Sequence, residues 1–340
     1  MDKTTIDNWA RAYTPTYSGG RIKQFDADFQ VEEELSFPIS GEGDHLYLYI
    51  KKQNANTQWV AEMLAKKFGL KLKDIGYAGL KDKNAITKQW FSLHLPGKNH
   101  PQIDDFPQEV VVLDSTRHQK KIRRGAIKEN RFEIIVRDVS VKPSEIEIRL
   151  QEIAKQGVPN YFGEQRFGKH CQNIEKFRLL ITRQLRVKKH QRGIYISSAR
   201  SYLFNEILSE RVKQQTWNKL ICGDVATLNN THSIFSVPML DETLESRVDE
   251  MDIHPSGVLW GEGATLSSGN LQVLESLVIN QHSDLSDGLI NMDAKLSYRS
   301  LRVRPANLTW DLTNNNLHLN FSLPTGSYAT SILREIFLFD

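Results

Sequence analysis

Residues 75–93, IGYAGLKDKNAITKQWFSL, constrain the fold more than any other stretch of the chain. Ile75 and Tyr77 on one side, and Ile86, Trp90, Phe91 and Leu93 on the other, read as strands with much of their surface buried. Gly79-Leu80-Lys81-Asp82-Lys83-Asn84 between them is a polar turn built from usual turn formers. On composition alone this is a hairpin loop. The charges add a second possibility, because Asp82 stands between Lys81 and Lys83. Neighbouring cations favour the ionised carboxylate, the form that serves as nucleophile or general base.

The flanking sequence supplies a frame for that loop. The chain enters a strand-like region at Gly20-Arg21-Ile22-Lys23 and continues it through 28–33, after a loosely structured lead-in over 1–20. Gly41 to Asp44 makes a turn, and Leu46, Leu48 and Ile50 then alternate with Tyr47 and Tyr49 as a strand. Residues 57–68, TQWVAEMLAKKF, predict a helix that Asn56 or Thr57 caps and Gly69 ends. Asp82 therefore falls on a loop held by a helix and two strands, a usual setting for function. Further on, 108–114 and 132–136 read as strands, and 143–156, 173–185 and 200–212 as helices. Residues 308–312 and 317–323 form two strands around Asn314-Asn315-Asn316, and Gly326-Ser327 would cap a closing helix.

At 340 residues the chain has room for one large domain or two ordinary ones. Its 39% hydrophobic and 25% charged residues are those of a soluble globular protein. A net charge of +3 does not by itself argue for nucleic acid, so the distribution of charge matters more. Cys171 and Cys222 are the only cysteines, which argues against a disulfide framework or a CxxC metal site and fits a reduced, cytoplasmic setting. No signal peptide, membrane-length apolar run, GxxxxGK[ST] loop or HExxH motif is visible.

Charge is concentrated between Arg117 and Arg131, where seven Lys or Arg meet one acid, Glu129. Such a run is commonly a solvated face, but Gly125 and the strand-like 132–136 anchor it, and an anchored basic loop grips phosphates in a fixed register. Lys120, Lys121, Arg123 and Arg124 are its candidate RNA contacts. A second basic run covers 186–192. Val158 to Gly168 combines three aromatics with Arg166, a composition able to stack on bases or to make a packed corner between domains. The acidic runs Glu32-Glu33-Glu34 and Asp104-Asp105 read as solvated.

Tyr77-Ala78-Gly79-Leu80-Lys81-Asp82-Lys83-Asn84-Ala85-Ile86-Thr87-Lys88-Gln89 resembles the signature of the TruD family of tRNA pseudouridine synthases, roughly aromatic-Ala-Gly-x-Lys-Asp-Lys-x-Ala-x-Thr-x-Gln. Four more blocks resemble the family's motifs in the expected order. They are RIKQFDADFQVEEE over 21–34, the Lys-x-Asn-x-Phe block ending at Phe132, Pro159-Asn160-Tyr161-Phe162-Gly163-Glu164-Gln165-Arg166-Phe167-Gly168, and Pro324-Thr325-Gly326-Ser327-Tyr328-Ala329-Thr330. Glu129 departs from the glycine that the family commonly has before the Asn.

The resemblance implies an α+β fold: a mixed, largely antiparallel-sheet pseudouridine synthase catalytic domain over 1–156 and 306–340, with an inserted α/β domain, the TRUD domain, over 157–305. It implies isomerisation of uridine 13 in tRNA, with Asp82 catalytic, Lys23, Asn130 and Phe132 supporting the active site, and no cofactor, metal, membrane or obligate protein partner. Lys81, Lys83, Phe162 and Arg166 join the basic run as expected RNA contacts, the last two facing a cleft. Whether Asp82 attacks ribose, attacks the base or removes a ribose proton is left open by the residues. Two rivals remain at this level. A non-catalytic RNA-binding protein accounts for the basic runs but not for Asp82, and a metal-dependent nuclease would need clustered carboxylates.

Overall fold

A computed structural model describes residues 8–14, 17–97, 101–231 and 233–338; residues 1–7, 15 and 16 of the expected lead-in lie outside this set. The chain divides into two compact units, each assembled from separate segments. One contains residues 17–147, 305–326 and 337–340, and the other 1–16, 148–304 and 327–336. These bounds differ from the expected ones at 157 and 305. The N-terminal segment and residues 327–336 both group with the middle of the chain, and the division falls inside the helix Pro143–Gln156.

The first unit is built on an eight-stranded sheet: β1 (Phe29–Leu35), β2 (His45–Gln53), β3 (Ile75–Tyr77), β4 (Ile86–His94), β5 (Val110–His118), β6 (Ile127–Val136), β7 (Ala306–Thr313) and β8 (Asn316–Pro324). Their spatial order is β7-β8-β6-β1-β4-β2-β5, with β3 added beside the end of β4. All pairs are antiparallel except β1 with β4. The helix α1 (Thr57–Lys67) begins where Asn56 accepts a hydrogen bond from Trp59 N at 2.7 Å and ends at Gly69, whose φ is +65°. Val60, Ala61 and Leu64 on α1 are fully buried and belong to one core cluster with Leu46, Leu48, Ile50, Phe91 and Leu93 of the sheet. Truncating Leu64 to Ala there would cost about 2–5 kcal/mol.

Several elements differ from the sequence-based expectation for local reasons. The first strand begins at Phe29, because the buried Asp28 carboxylate accepts from Phe25 N and takes the Arg137 guanidinium on both oxygens, turning the chain just before it. β5 runs on to His118, so the basic run opens inside a strand. The closing helix is only Ala329–Arg334; its N-cap is Tyr328, without a side-chain cap bond, rather than Ser327.

The second unit has a four-stranded antiparallel sheet in the order Ile234–Val237, Asp224–Leu228, Ile253–Leu259, Ser297–Ser300. Against it lies the helix Lys189–Lys213, much longer than 200–212, which takes the end of the second basic run into its first turn. Arg211 and Asp224 form a fully buried ion pair at 2.8 Å. The expected 173–185 helix spans Gln172–Ile181, and helices at Glu242–Asp249, Gly269–Gln281 and Ser283–Asn291 went unread. Trp9 joins this unit by stacking on Tyr161, ring centroids 5.8 Å apart, and Glu335 accepts from Ala12 N and Tyr13 N.

Glu275 is buried here on its helix, accepting the Ser267 hydroxyl at 2.5 Å, and burial pushes its carboxyl up to about 7. A carboxyl whose folded pKa is raised weakens the fold as pH climbs from its unfolded value through the folded one. The Glu275→Gln variant should therefore gain on the parent chain by roughly 2–3 kcal/mol between pH 5 and pH 8, as read by urea unfolding at the two pH values. An unchanged difference would mean that Glu275 is not held protonated.

Candidate active site

The loop that carries Asp82 is fixed to one face of the sheet by a set of polar bonds. Strand register defines that face. Lys52 on β2 pairs with Thr87 on β4, Thr87 with Val31 on β1, Val31 with Phe132 on β6, and Phe132 with Phe321 on β8. A neighbouring row runs through Glu33 and Asn130, which also pair directly. Residues opposite one another in a ladder share a face, so Lys52, Thr87, Glu33, Asn130 and Phe132 all point the same way.

Three residues of the loop, Gly79, Lys81 and Asp82, are tied to that face or to α1. Gly79 O accepts from Gln89 Nε2 at 3.2 Å, and Gln89 Oε1 accepts from Thr57 Oγ1 at 2.9 Å. Thr57 Oγ1 in turn accepts from Lys81 N at 3.0 Å. Lys81 Nζ meets Glu33 Oε2 at 2.6 Å, with both side chains almost wholly buried. Asp82 O accepts from Lys52 Nζ at 2.9 Å. Burial pushes the Glu33 carboxyl up while the Lys81 ammonium pulls it down. Gly79 fits because a Cβ there would press on Ile127 and Lys81.

The Asp82 carboxylate itself is partly open, with about a third of its side chain exposed, and Lys23 Nζ donates to Oδ2 at 2.7 Å. Lys23 lies 4.1 Å over the Phe29 ring and has φ +57°, a backbone state uncommon outside glycine. The cation on Asp82 is thus Lys23, 59 residues away, whereas Lys81 is spent on Glu33 and Lys83 is exposed. Glu33 corrects the expectation that the acidic run is solvated. Its parity with Phe29, Val31 and Leu35 turns it inward, while Glu32 and Glu34 pair with Lys88, Lys128 and Arg131.

Phe132 is buried between Phe29, at 6.2 Å edge-on, and Phe321, stacked at 5.4 Å. Beside it, Asn130 Oδ1, Glu33 Oε1 and Thr87 Oγ1 are buried without a hydrogen-bond partner among the described residues. Three orphaned acceptors on one face are unusual, since buried polar atoms are nearly always paired. This face thus carries a partly open carboxylate, a buried aromatic wall and buried acceptors without partners among the described residues.

Of the expected RNA contacts, Lys120, Arg123 and Arg124 are exposed and Lys121 is half-buried with its ammonium on the Lys73 carbonyl. Arg124 lies over the Tyr77 ring at 3.9 Å, and a cavity of about 390 Å³ opens between Tyr77, Gln58, Lys121, Arg123 and Arg124. The basic loop is tied to the Asp82 loop through Gly125 N on Ala78 O at 2.9 Å. Phe162 and Arg166 belong to the other unit. Phe162 is buried under Arg299, whose guanidinium is 4.1 Å away, and Arg166 donates to the Tyr328 and Ser197 hydroxyls. Lys52, Thr57, Glu33 and Gln89 were missed as site residues. For Lys52 and Glu33 the strand parity carried the signal. Among the described residues no group of three or more His, Cys, Asp or Glu is placed to hold a metal ion.

Comparison with known proteins gives one answer. A family model for tRNA pseudouridine synthase D (TruD) matches residues 11–183 and 181–336. The tRNA pseudouridine synthase D of Hydrogenovibrio crunogenus is 43% identical over 337 residues, covering 98% of this chain and 97% of its own. That of Methylococcus capsulatus is 40% identical over 338 residues, covering 98% and 96%. A Methanosarcina mazei structure solved under the name tRNA pseudouridine synthase D (TruD) shares the fold, with TM-score 0.72 at 22% identity over 98% of this chain and 96% of that one.

The buried Lys81–Glu33 pair makes a direct prediction. Lys81→Met should destabilise the chain by about 3–5 kcal/mol, because Glu33 would be left buried and unpaired. Adding Glu33→Leu should restore most of that loss in urea unfolding. A double variant no more stable than Lys81→Met would contradict the pairing.

Proposed function

The chain belongs to the TruD family of tRNA pseudouridine synthases, and from that premise we propose that it isomerises uridine 13 of tRNA with Asp82 as the catalytic residue. The observation that carries the assignment is the placement of the Asp82 carboxylate, gripped by Lys23 and half-open, over a sheet face with a buried aromatic and unpaired acceptors.

In this reading the target nucleotide is flipped out of its stack, as enzymes acting on bases generally require. Phe132 is the wall against which the uracil lies, and Asn130 accepts from its one N–H, at N3. The bond from ribose C1′ to uracil N1 breaks, the base turns, and C1′ joins C5. One proton leaves C5 and one is gained at nitrogen, so the product is an isomer and the atoms balance without a donor. Asp82 begins the sequence, as nucleophile toward ribose or base or as the base that removes a ribose proton; the three share the same first requirement, an aimed carboxylate. Lys120, Arg123 and Arg124, exposed on a loop bonded to the Asp82 loop, supply phosphate contacts close to the chemistry. Lys121 and Lys83 add positive charge at that surface, while the expected contact by Phe162 is set aside because its ring is buried.

The test is incubation of the purified chain with unmodified tRNA in chelator, followed by mapping of pseudouridine through carbodiimide-dependent reverse-transcription stops. A stop at uridine 13 is expected. Stops elsewhere would move the target, and tight binding without any stop would favour a non-catalytic RNA-binding protein. Replacing Lys120, Lys121, Arg123 and Arg124 together by Ala should weaken tRNA binding and flatten the slope of log affinity against log salt by about 3. An unchanged slope would remove this loop from the interface.

A further inference from the structure

We propose that Lys52 is a positioning residue for the reaction, its ammonium fixing the main chain of Asp82 to the sheet and so aiming the carboxylate. The proposal rests on the functional reading above and deepens it. Lys52 is fully buried at the end of β2, which is rare for a lysine. Both of its hydrogen-bond partners are main-chain carbonyls, Asp82 O at 2.9 Å and Ala55 O at 2.6 Å. Ala55 immediately precedes the Asn56 cap of α1, so one ammonium joins the Asp82 loop, the last turn before α1 and the sheet.

Among the described residues, no other bond from the sheet holds the main chain of Asp82 itself. Gln89 holds Gly79, and Thr57 and Glu33 hold Lys81. Lys23 restrains the Asp82 carboxylate, while the point and direction from which that side chain leaves the loop are set by the main chain that Lys52 holds.

A lysine placed there for stability alone would be a poor choice. Burial pushes its ammonium down to about 8, with the Asp82 carboxylate pulling the other way and Lys81 adding to the fall. Protonated Lys52 therefore costs the fold something at neutral pH that deprotonation would return. The other charged groups of the cluster are Glu33 on β1, paired with Lys81, and Lys23, paired with Asp82. The facing β4 residue is Thr87, and Asn56 and Thr57 at the start of α1 are neutral. Losing the proton leaves two N–H donors for the two carbonyls but removes the charge that strengthens both bonds. The tether should loosen as pH rises through about 8, and with it the aim of Asp82.

The experiment compares the full chain with Lys52→Met and Lys52→Arg. It reads single-turnover pseudouridine formation at saturating tRNA across pH, tRNA affinity, and hydrogen exchange at the Lys81 and Ala85 amides. Lys52→Met should lower the single-turnover rate at pH 7 by at least about tenfold, because small displacements of a reacting group are costly. Its tRNA affinity should stay within about twofold, a split that marks an interaction made in the reaction and not in binding. Its loop amides should exchange faster. The parent's rate should fall as pH rises through about 8, and Lys52→Arg should recover part of the rate and keep it to higher pH. Unchanged rate and exchange in Lys52→Met, or a loss of affinity equal to the loss of rate, would overturn the proposal. If Lys52→Met fails to fold, a parent profile without the fall near pH 8, or an Arg variant with the same profile as the parent, would overturn it. A parent chain that makes no pseudouridine sinks the functional reading instead, and amide exchange in Lys52→Met still decides whether the tether exists.

Discussion

A carboxylate in the interior of a β-sheet face has to find a cation, and Glu33 finds Lys81 at 2.6 Å. Much of the site follows from that contact. The pair draws the loop down onto the sheet between β3 and β4, so the next residue, Asp82, stands over the row formed by Lys52, Thr87, Val31 and Phe132. Neutral bonds from Gln89 and Thr57 add direction, and Lys52 adds a second buried charge. Buried ion pairs seldom add net stability over apolar packing of the same shape. Here the pair fixes a loop in one position, which a greasy contact would do less well.

The same construction explains why the basic loop belongs to the site. Gly76 lies so close to that loop that a Cβ would collide with the Ile122 carbonyl and the Ser92 hydroxyl. Ile122 N donates to Ser92 Oγ, and Gly125 N to Ala78 O. The cations at 120–124 therefore sit on the backbone that leads into Asp82. Phosphate contacts made there would fix the RNA in register with the carboxylate, since both are referred to the same strand.

Much of this was legible in the chain, and the reasons are physical. The α1 helix and its Asn56 cap were readable because the signals are local. The loop carrying Asp82 was readable because turn formers and apolar flanks mark it. The cation on Asp82 comes from Lys23, which the family resemblance set beside the active site, where sequence adjacency alone pointed to Lys81 and Lys83. What escaped was non-local. The parity of Leu46, Leu48 and Ile50 already turned Lys52 inward, as that of Phe29 and Val31 turned Glu33 inward. Both were passed over because buried charges are rare. The unit bounds differ from the expected ones for a similar reason, since Trp9 and Glu335 are committed to their unit by contacts more than 100 residues apart in sequence.

The central claim is that the carboxylate of Asp82, once held in this place, does the chemistry while other groups hold the RNA. The most direct measurement is the single-turnover rate of pseudouridine formation and the tRNA dissociation constant for Asp82→Asn, which keeps the shape and the Lys52 bond to the main chain but removes the negative charge. The account predicts no detectable product with affinity within a few-fold of the parent. Turnover near the parent's rate would contradict it, because the reacting group would then have to lie elsewhere.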